Sequence, residues 1–219
     1  MPIEKHGNSL GLFMIKVALS ALLLLVMTTA NAEMKSIDIY SEQQLLDLIV
    51  KEAYLDRVKL DDCQLLQDIE AKAEILKEPL YQFLWGEMLN YGVCTAANPS
   101  RGMSILKQAA HQGSLEAMVK VAQYYHDGRF VVQNKERAVQ YVLPAAANGN
   151  QIAAMMLVRL LFEGYGSPRD YGSAYHWLYQ QVFSDQNRKM EAIKLLQGLE
   201  ARMPASYVAR ARKASFFSP

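Results

Sequence analysis

The chain has 219 residues, with 23 basic and 22 acidic side chains, and 51% of its residues are hydrophobic. That length suits one domain or one short repeat array. The near-neutral balance lacks the basic excess of a nucleic-acid binder, and the two cysteines do not have zinc-site spacing.

The first element is an export leader. Lys5 and Lys16 give it a positive start, and Val17 to Met27 is apolar apart from Ser20. Ala30-Asn31-Ala32 then supplies the small-x-small pattern that a signal peptidase reads. Cleavage is expected between Ala32 and Glu33. The apolar core is shorter than the roughly 20 residues of a membrane span, and an uncleaved N-terminal anchor is the competing reading. No cysteine follows the run as a lipid attachment point. The segment 33–219 holds 187 residues with 21 basic and 21 acidic side chains. Its charge is uneven: residues 33–80 carry 12 acidic and 6 basic side chains, whereas residues 188–219 carry 2 and 7.

Beyond the leader the chain repeats itself every 36 residues. Gly92, Gly128 and Gly164 fall in register, as do Gly113 with Gly149, Ala117 with Ala153, Ala138 with Ala174, and Ala109-Ala110 with Ala145-Ala146. Agreement at one period over independent positions identifies a repeat array. Each unit reads as two helices. Ala117, Val121, Tyr124 and Tyr125 share one helical face, and Gly128 ends that helix. Ala138, Tyr141, Val142 and Ala145 form the buried stripe of the next, and Gly149 turns the chain onward.

Asp62, Asn98, Asn134 and Asp170 are spaced at that same period and are expected to cap the second helix of each unit, because their short side chains can accept an orphan helix N–H. Pro99 follows Asn98 at the first helical position. Four units result: 45–80, 81–116, 117–152 and 153–188. The first is degenerate and opens on a capping box, Ser41-Glu42-Gln43-Gln44. Seven residues after each cap stand Ile69, Ile105, Tyr141 and Trp177, expected in the core, as is Trp85. Residues 189–219 are expected to form capping helices, broken at Pro204, with a tail ending in Phe216-Phe217 that is either a docking element or unstructured. The predicted fold is an all-α solenoid of helix-turn-helix repeats.

Gly164-Tyr165-Gly166, Asp170, Ala174 and Trp177, completed in other units by Ala145-Ala146 with Gly149 and Ala109-Ala110 with Gly113, resemble the Sel1-like repeat over about residues 81–185. Gly128 lacks the second glycine of its pair, and Gln181-Val182 stands where Ala-Ala belongs. The leader, the acidic first unit with one cysteine, a second cysteine in the next unit and the run Leu80 to Gly86 together resemble the MotX family of the polar flagellar motor. That resemblance implies a periplasmic component of the T ring, working with MotY around the basal body to hold stator units, through contacts with a MotY-like protein and the periplasmic part of the stator B subunit. The competing reading keeps the scaffold and changes the partner, as a periplasmic adaptor or regulator of another envelope protein.

Cys63 and Cys94 are an even pair in an exported chain, which favours a disulfide. Cys63 follows the expected cap Asp62 and Cys94 lies in the inter-helix loop of the next unit, on the same edge of the solenoid. Two unpaired thiols are the alternative. Ser104 to Lys107 matches S-x-x-K, but Ser-Asp-Asn and Lys-Thr-Gly partners are missing, so no nucleophile is assigned. His111, His126 and His176 lack ligand neighbours at metal spacing. The sequence therefore predicts a binding scaffold with no catalytic residues, cofactor or metal.

Overall fold

The structure is a computed structural model that describes residues 40–213. The chain divides into residues 1–38 and 39–219, and the described residues lie in the second unit. The cleavage site Ala32-Glu33 and the Phe216-Phe217 tail lie outside the described residues.

Eleven α-helices and no strand occur among the described residues. Three short ones come first: α1 (Glu42–Val50), α2 (Tyr54–Leu60) and α3 (Leu66–Glu74). Three longer pairs follow: α4 (Pro79–Tyr91) with α5 (Pro99–His111), α6 (Leu115–Asp127) with α7 (Lys135–Ala147), and α8 (Gln151–Glu163) with α9 (Tyr171–Tyr179). Then α10 (Gln186–Glu200) and α11 (Ala205–Ala211) close the array. Each helix packs on its chain neighbour from α3 to α10, and α11 returns onto α9.

Local chemistry fixes the helix ends. The first helix of each pair ends in a left-handed glycine: Gly92 (φ 67°), Gly128 (φ 72°) and Gly164 (φ 98°). Asn98 and Asn134 cap α5 and α7, accepting from the Arg101 N–H at 3.1 Å and the Arg137 N–H at 2.9 Å. The first helices have their own cap series at the same repeat period. Ser114 and Asn150, 36 residues apart, accept from the Ala117 and Ala153 N–H groups at 3.2 and 2.9 Å.

Two of the expected caps require correction. Asp170 stands before α9 with helical backbone and makes no side-chain cap. A 3₁₀ turn, Pro168–Asp170, begins first, and Ser167 caps that turn by accepting from Arg169 N–H at 3.2 Å. Asp62 is no cap either. It has φ +52° in the turn after α2, and α3 begins at Leu66 behind Leu65. The neighbouring Cys63 also has positive φ, +59°, so the chain here bends where an N-cap would be extended. The first unit is accordingly three short helices and not a pair. Its capping box does form: Ser41 accepts from Gln44 N–H at 3.2 Å, and Gln44 Oε1 accepts from Ser41 N–H at 3.0 Å.

Small residues set the spacing of the helices. A Cβ on Gly102 would meet the Gly86 carbonyl oxygen at 2.6 Å, so α4 and α5 touch backbone to backbone. Ala138 and Ala174 occupy the equivalent positions in the next pairs and are fully buried. Ile69 and Ile105 are buried as expected, whereas Tyr141 and Trp177 are half-buried against the core edge. Trp85 is buried, and its indole N–H donates to Glu74 at 2.9 Å.

Candidate functional site

A groove of about 890 Å³ runs along the first helices of the pairs. Ile49 and Val50 at the end of α1, Val119 on α6, and Ile152, Met155 and Met156 on α8 give it an apolar floor. Four basic side chains (Lys51, Lys120, Arg159, Arg188) and four acidic ones (Glu52, Glu116, Asp127, Glu191) line it as well. That even mixture makes it neither an anion sink nor a cation cage. Several charges pair across the groove: Lys120 Nζ lies 3.9 Å from Glu52, and Arg159 bonds Glu191. An apolar floor edged by alternating charges is suited to a segment of another protein.

Beside the groove lies a buried polar cluster. Glu87 on α4 is fully buried. Its carboxylate accepts from the Tyr54 hydroxyl at 2.8 Å, from the Tyr124 hydroxyl at 2.7 Å and from the Asn90 side-chain amide at 3.2 Å. A buried carboxylate is tolerated only with such partners. Burial, reinforced by the Glu87 charge, pushes both tyrosine hydroxyls well above their ordinary range, so they remain donors. The cluster ties α2 of the first unit, α4 and α6 to one point. A smaller cavity of about 320 Å³ adjoins it, where Arg129 donates to the Tyr91 hydroxyl at 2.9 Å.

Cys63 and Cys94 form a disulfide with Cα atoms 5.6 Å apart. It joins the turn between α2 and α3 to the loop between α4 and α5. Cys94 has φ +60°, Phe130 has φ +60° and Gly166 has φ +79°. These three residues are 36 apart, so the loop keeps its left-handed step even where glycine is missing. Phe130 is held there by edge contacts with Tyr91 and Tyr124 at 5.2 and 5.1 Å between ring centroids.

Ser104 is exposed on α5, and Lys107 Nζ lies 5.2 Å over the Tyr125 ring. Burial acts to raise the Tyr125 hydroxyl, but Lys107 and Arg137 outweigh it and bring the group below its ordinary value. Lys107 therefore serves a buried aromatic at the core edge. His111 stacks on Tyr141, His126 Nδ1 lies 2.7 Å from Asp127, and His176 Nδ1 lies 2.8 Å from the Ala211 carbonyl. Among the described residues, no three His, Cys, Asp or Glu side chains converge as metal ligands. No helix there is long and apolar enough to cross a membrane.

Comparison with known proteins places this architecture. The family model of the Sel1 repeat matches residues 79–114, 115–150 and 152–180, which are the three helix pairs. A solved Sel1 repeat protein from Oxalobacter formigenes aligns with a TM-score of 0.47 and 20% identity, over 72% of this chain and 66% of that one. The sodium-type polar flagellar protein MotX of Vibrio parahaemolyticus serotype O3:K6 is 42% identical over 205 residues, covering 92% of this chain and 97% of that protein. That span takes in nearly the whole of both proteins, and at that identity the chain belongs to the MotX family of polar flagellar proteins.

Proposed function

We propose that the protein is a periplasmic structural part of the polar flagellar motor, seated in the T ring with a MotY-like protein and bracing the periplasmic part of the stator B subunit. The observation that carries this reading is the near full-length identity to a polar flagellar protein. The stacked helix pairs support it, since repeat arrays offer long binding surfaces, and so does the groove, whose apolar floor and balanced charges suit a protein segment. In this reading residues 1–32 are a cleaved leader, 33–80 an N-terminal segment with the irregular first unit, 81–188 the repeat array and 189–219 the closing helices and tail. No catalytic role is assigned, and Ser104→Ala is expected to leave motility intact.

Deleting the gene tests the proposal. Flagella should be paralysed or absent while other export is normal, and the protein should disappear from purified basal bodies when its MotY-like partner is removed. Normal swimming of the deletion strain would overturn the motor reading in favour of a periplasmic adaptor with another partner. The mature N-terminus should be Glu33 by peptide sequencing, and a retained Met1 would remove the leader from the account.

A further inference from the structure

The two ends of the array do not look like ends. Terminal repeats ordinarily present a polar outer face, because nothing stacks on them. Here twelve large apolar side chains stand exposed among the described residues, and eight of them lie before Pro79 or after Tyr171. Leu60 is 78% exposed at the head, and Met190 and Ile193 are 47% and 37% exposed at the tail.

The charges of the two ends are opposite. Residues 40–78 carry ten acidic and five basic side chains, and residues 186–213 carry seven basic and two acidic. Part of the head's acidity is neutralised within the chain: Arg101 of α5 bonds Glu74 at 2.6 Å, and Arg57 bonds Asp61 at 3.0 Å. Asp62 and Asp68 make no ion pair among the described residues and lie in the same stretch as Leu60, from the end of α2 into α3. On α10, Lys189 and Lys194 likewise make no ion pair among the described residues. They stand at i,i+4 spacing from Ile193 and Met190 respectively, so each apolar side chain has a lysine beside it on the exposed side of the helix.

We infer that these ends are docking surfaces for each other, so that a second copy of this chain stacks its α10 face onto the Leu60–Asp68 stretch of the first. The head stretch carries exposed Leu60 near Asp62 and Asp68, and the tail face carries exposed Met190 and Ile193 beside Lys189 and Lys194, so each offers apolar area with charge of opposite sign. Head-on-head contact would bring acid against acid, and tail-on-tail contact base against base, so charge selects the head-to-tail arrangement. A contact between two different surfaces of one chain leaves a free head and a free tail on every pair, and closes into a ring when the rotation allows. The inference rests on the ring reading only for the place where such a contact is used.

Sedimentation of the purified, oxidised chain beginning at Glu33 tests it directly. Association should rise with protein concentration and weaken from low to high salt. Asp62→Lys with Asp68→Lys in one variant, and Lys189→Glu with Lys194→Glu in another, should each weaken self-association by at least about tenfold, as loss of complementary edge charge predicts. Mixing the two variants should restore the complex, because their altered ends are complementary. All four positions are exposed, and unchanged circular dichroism melts would show that both variants fold. A wild-type chain that stays monomeric at every concentration overturns the inference, as does association that ignores both variants or a mixture that fails to recombine. A monomeric chain whose deletion still stops motility removes this contact alone. A self-associating chain whose deletion strain swims removes the motor reading alone.

Discussion

The helix pairs from Pro79 to Tyr179 and the three short helices ahead of them hold together by different means. In the pairs, cohesion is distributed: fully buried alanines at 109, 117, 138, 145, 153 and 174 recur at the repeat period and let helices approach wherever they meet. The first unit adds to its own buried side chains two links that fasten it to the first helix pair, the Cys63–Cys94 bond and the Glu87 carboxylate. Substitution in the pairs should therefore be felt locally. Substitution at either staple should loosen the whole first unit.

The largest expected effect is loss of the disulfide. Closing a 31-residue loop is worth about 3–4 kcal/mol in the chain-entropy model. Cys63→Ser or Cys94→Ser should lower the melting temperature by roughly 10 °C for a chain of this size, and proteolysis should begin within the first unit. Normal abundance and an unchanged melt would show that the unit holds without its bond.

Glu87→Leu comes next, at about 3 kcal/mol, because it removes the acceptor of two buried hydroxyls. The same cluster sets an alkaline limit. Tyr54 and Tyr124 ionise near pH 10.0 when unfolded and well above it in the fold. Below pH 10 both states hold these protons and stability does not depend on them. As pH rises past 10 the unfolded chain releases them first, so stability falls toward the raised native values. Tyr54→Phe with Tyr124→Phe should flatten that fall in a denaturant titration, and an unchanged slope would remove these two groups as its origin.

Phe130 sharpens the comparison inside the array. Phe130→Ala should cost about 2 kcal/mol, since it gives up packing with Tyr91 and Tyr124 and retains the positive φ. Phe130→Gly should cost about 1 kcal/mol less than the alanine change, because it also relieves the left-handed step. Equal losses would mean that the backbone conformation there is unstrained.

The smallest effects separate true caps from apparent ones. Asn134→Ala should destabilise by about 1 kcal/mol, whereas Asp170→Ala should leave thermal melts unchanged, since Asp170 makes no side-chain cap in the fold.

The fates of the four expected caps, Asp62, Asn98, Asn134 and Asp170, show what was legible in the sequence. The 36-residue period located every helix pair, because caps, left-handed glycines and buried alanines reflect one geometry repeated. It failed at Asp62 and Asp170, where a neighbouring residue decided the backbone: Cys63, turned toward Cys94, and Pro168, which starts a helical turn early. The left-handed step at Cys94 and Phe130 was not legible either, because neither residue advertises positive φ as glycine does. Nor was the Glu87 cluster, whose tyrosines come from positions 33 and 37 residues away, on helices that only tertiary packing brings together. The groove follows from the stacking of first helices and has no motif of its own.

The backbone contact between Gly86 and Gly102 has a mechanical consequence. A solenoid is a spring, whose compliance comes from the small rotations that side chains permit between neighbouring helices. Where α4 and α5 cross at these glycines the backbones meet directly, since a methyl carbon added at Gly102 would collide with the facing carbonyl and with the Asn90 side chain. That coil is stiff against sliding, and the disulfide and the Glu87 cluster anchor the first unit to it. Tension applied through the first unit should therefore pass undiminished to the alanine-spaced coils after it, which stretch first.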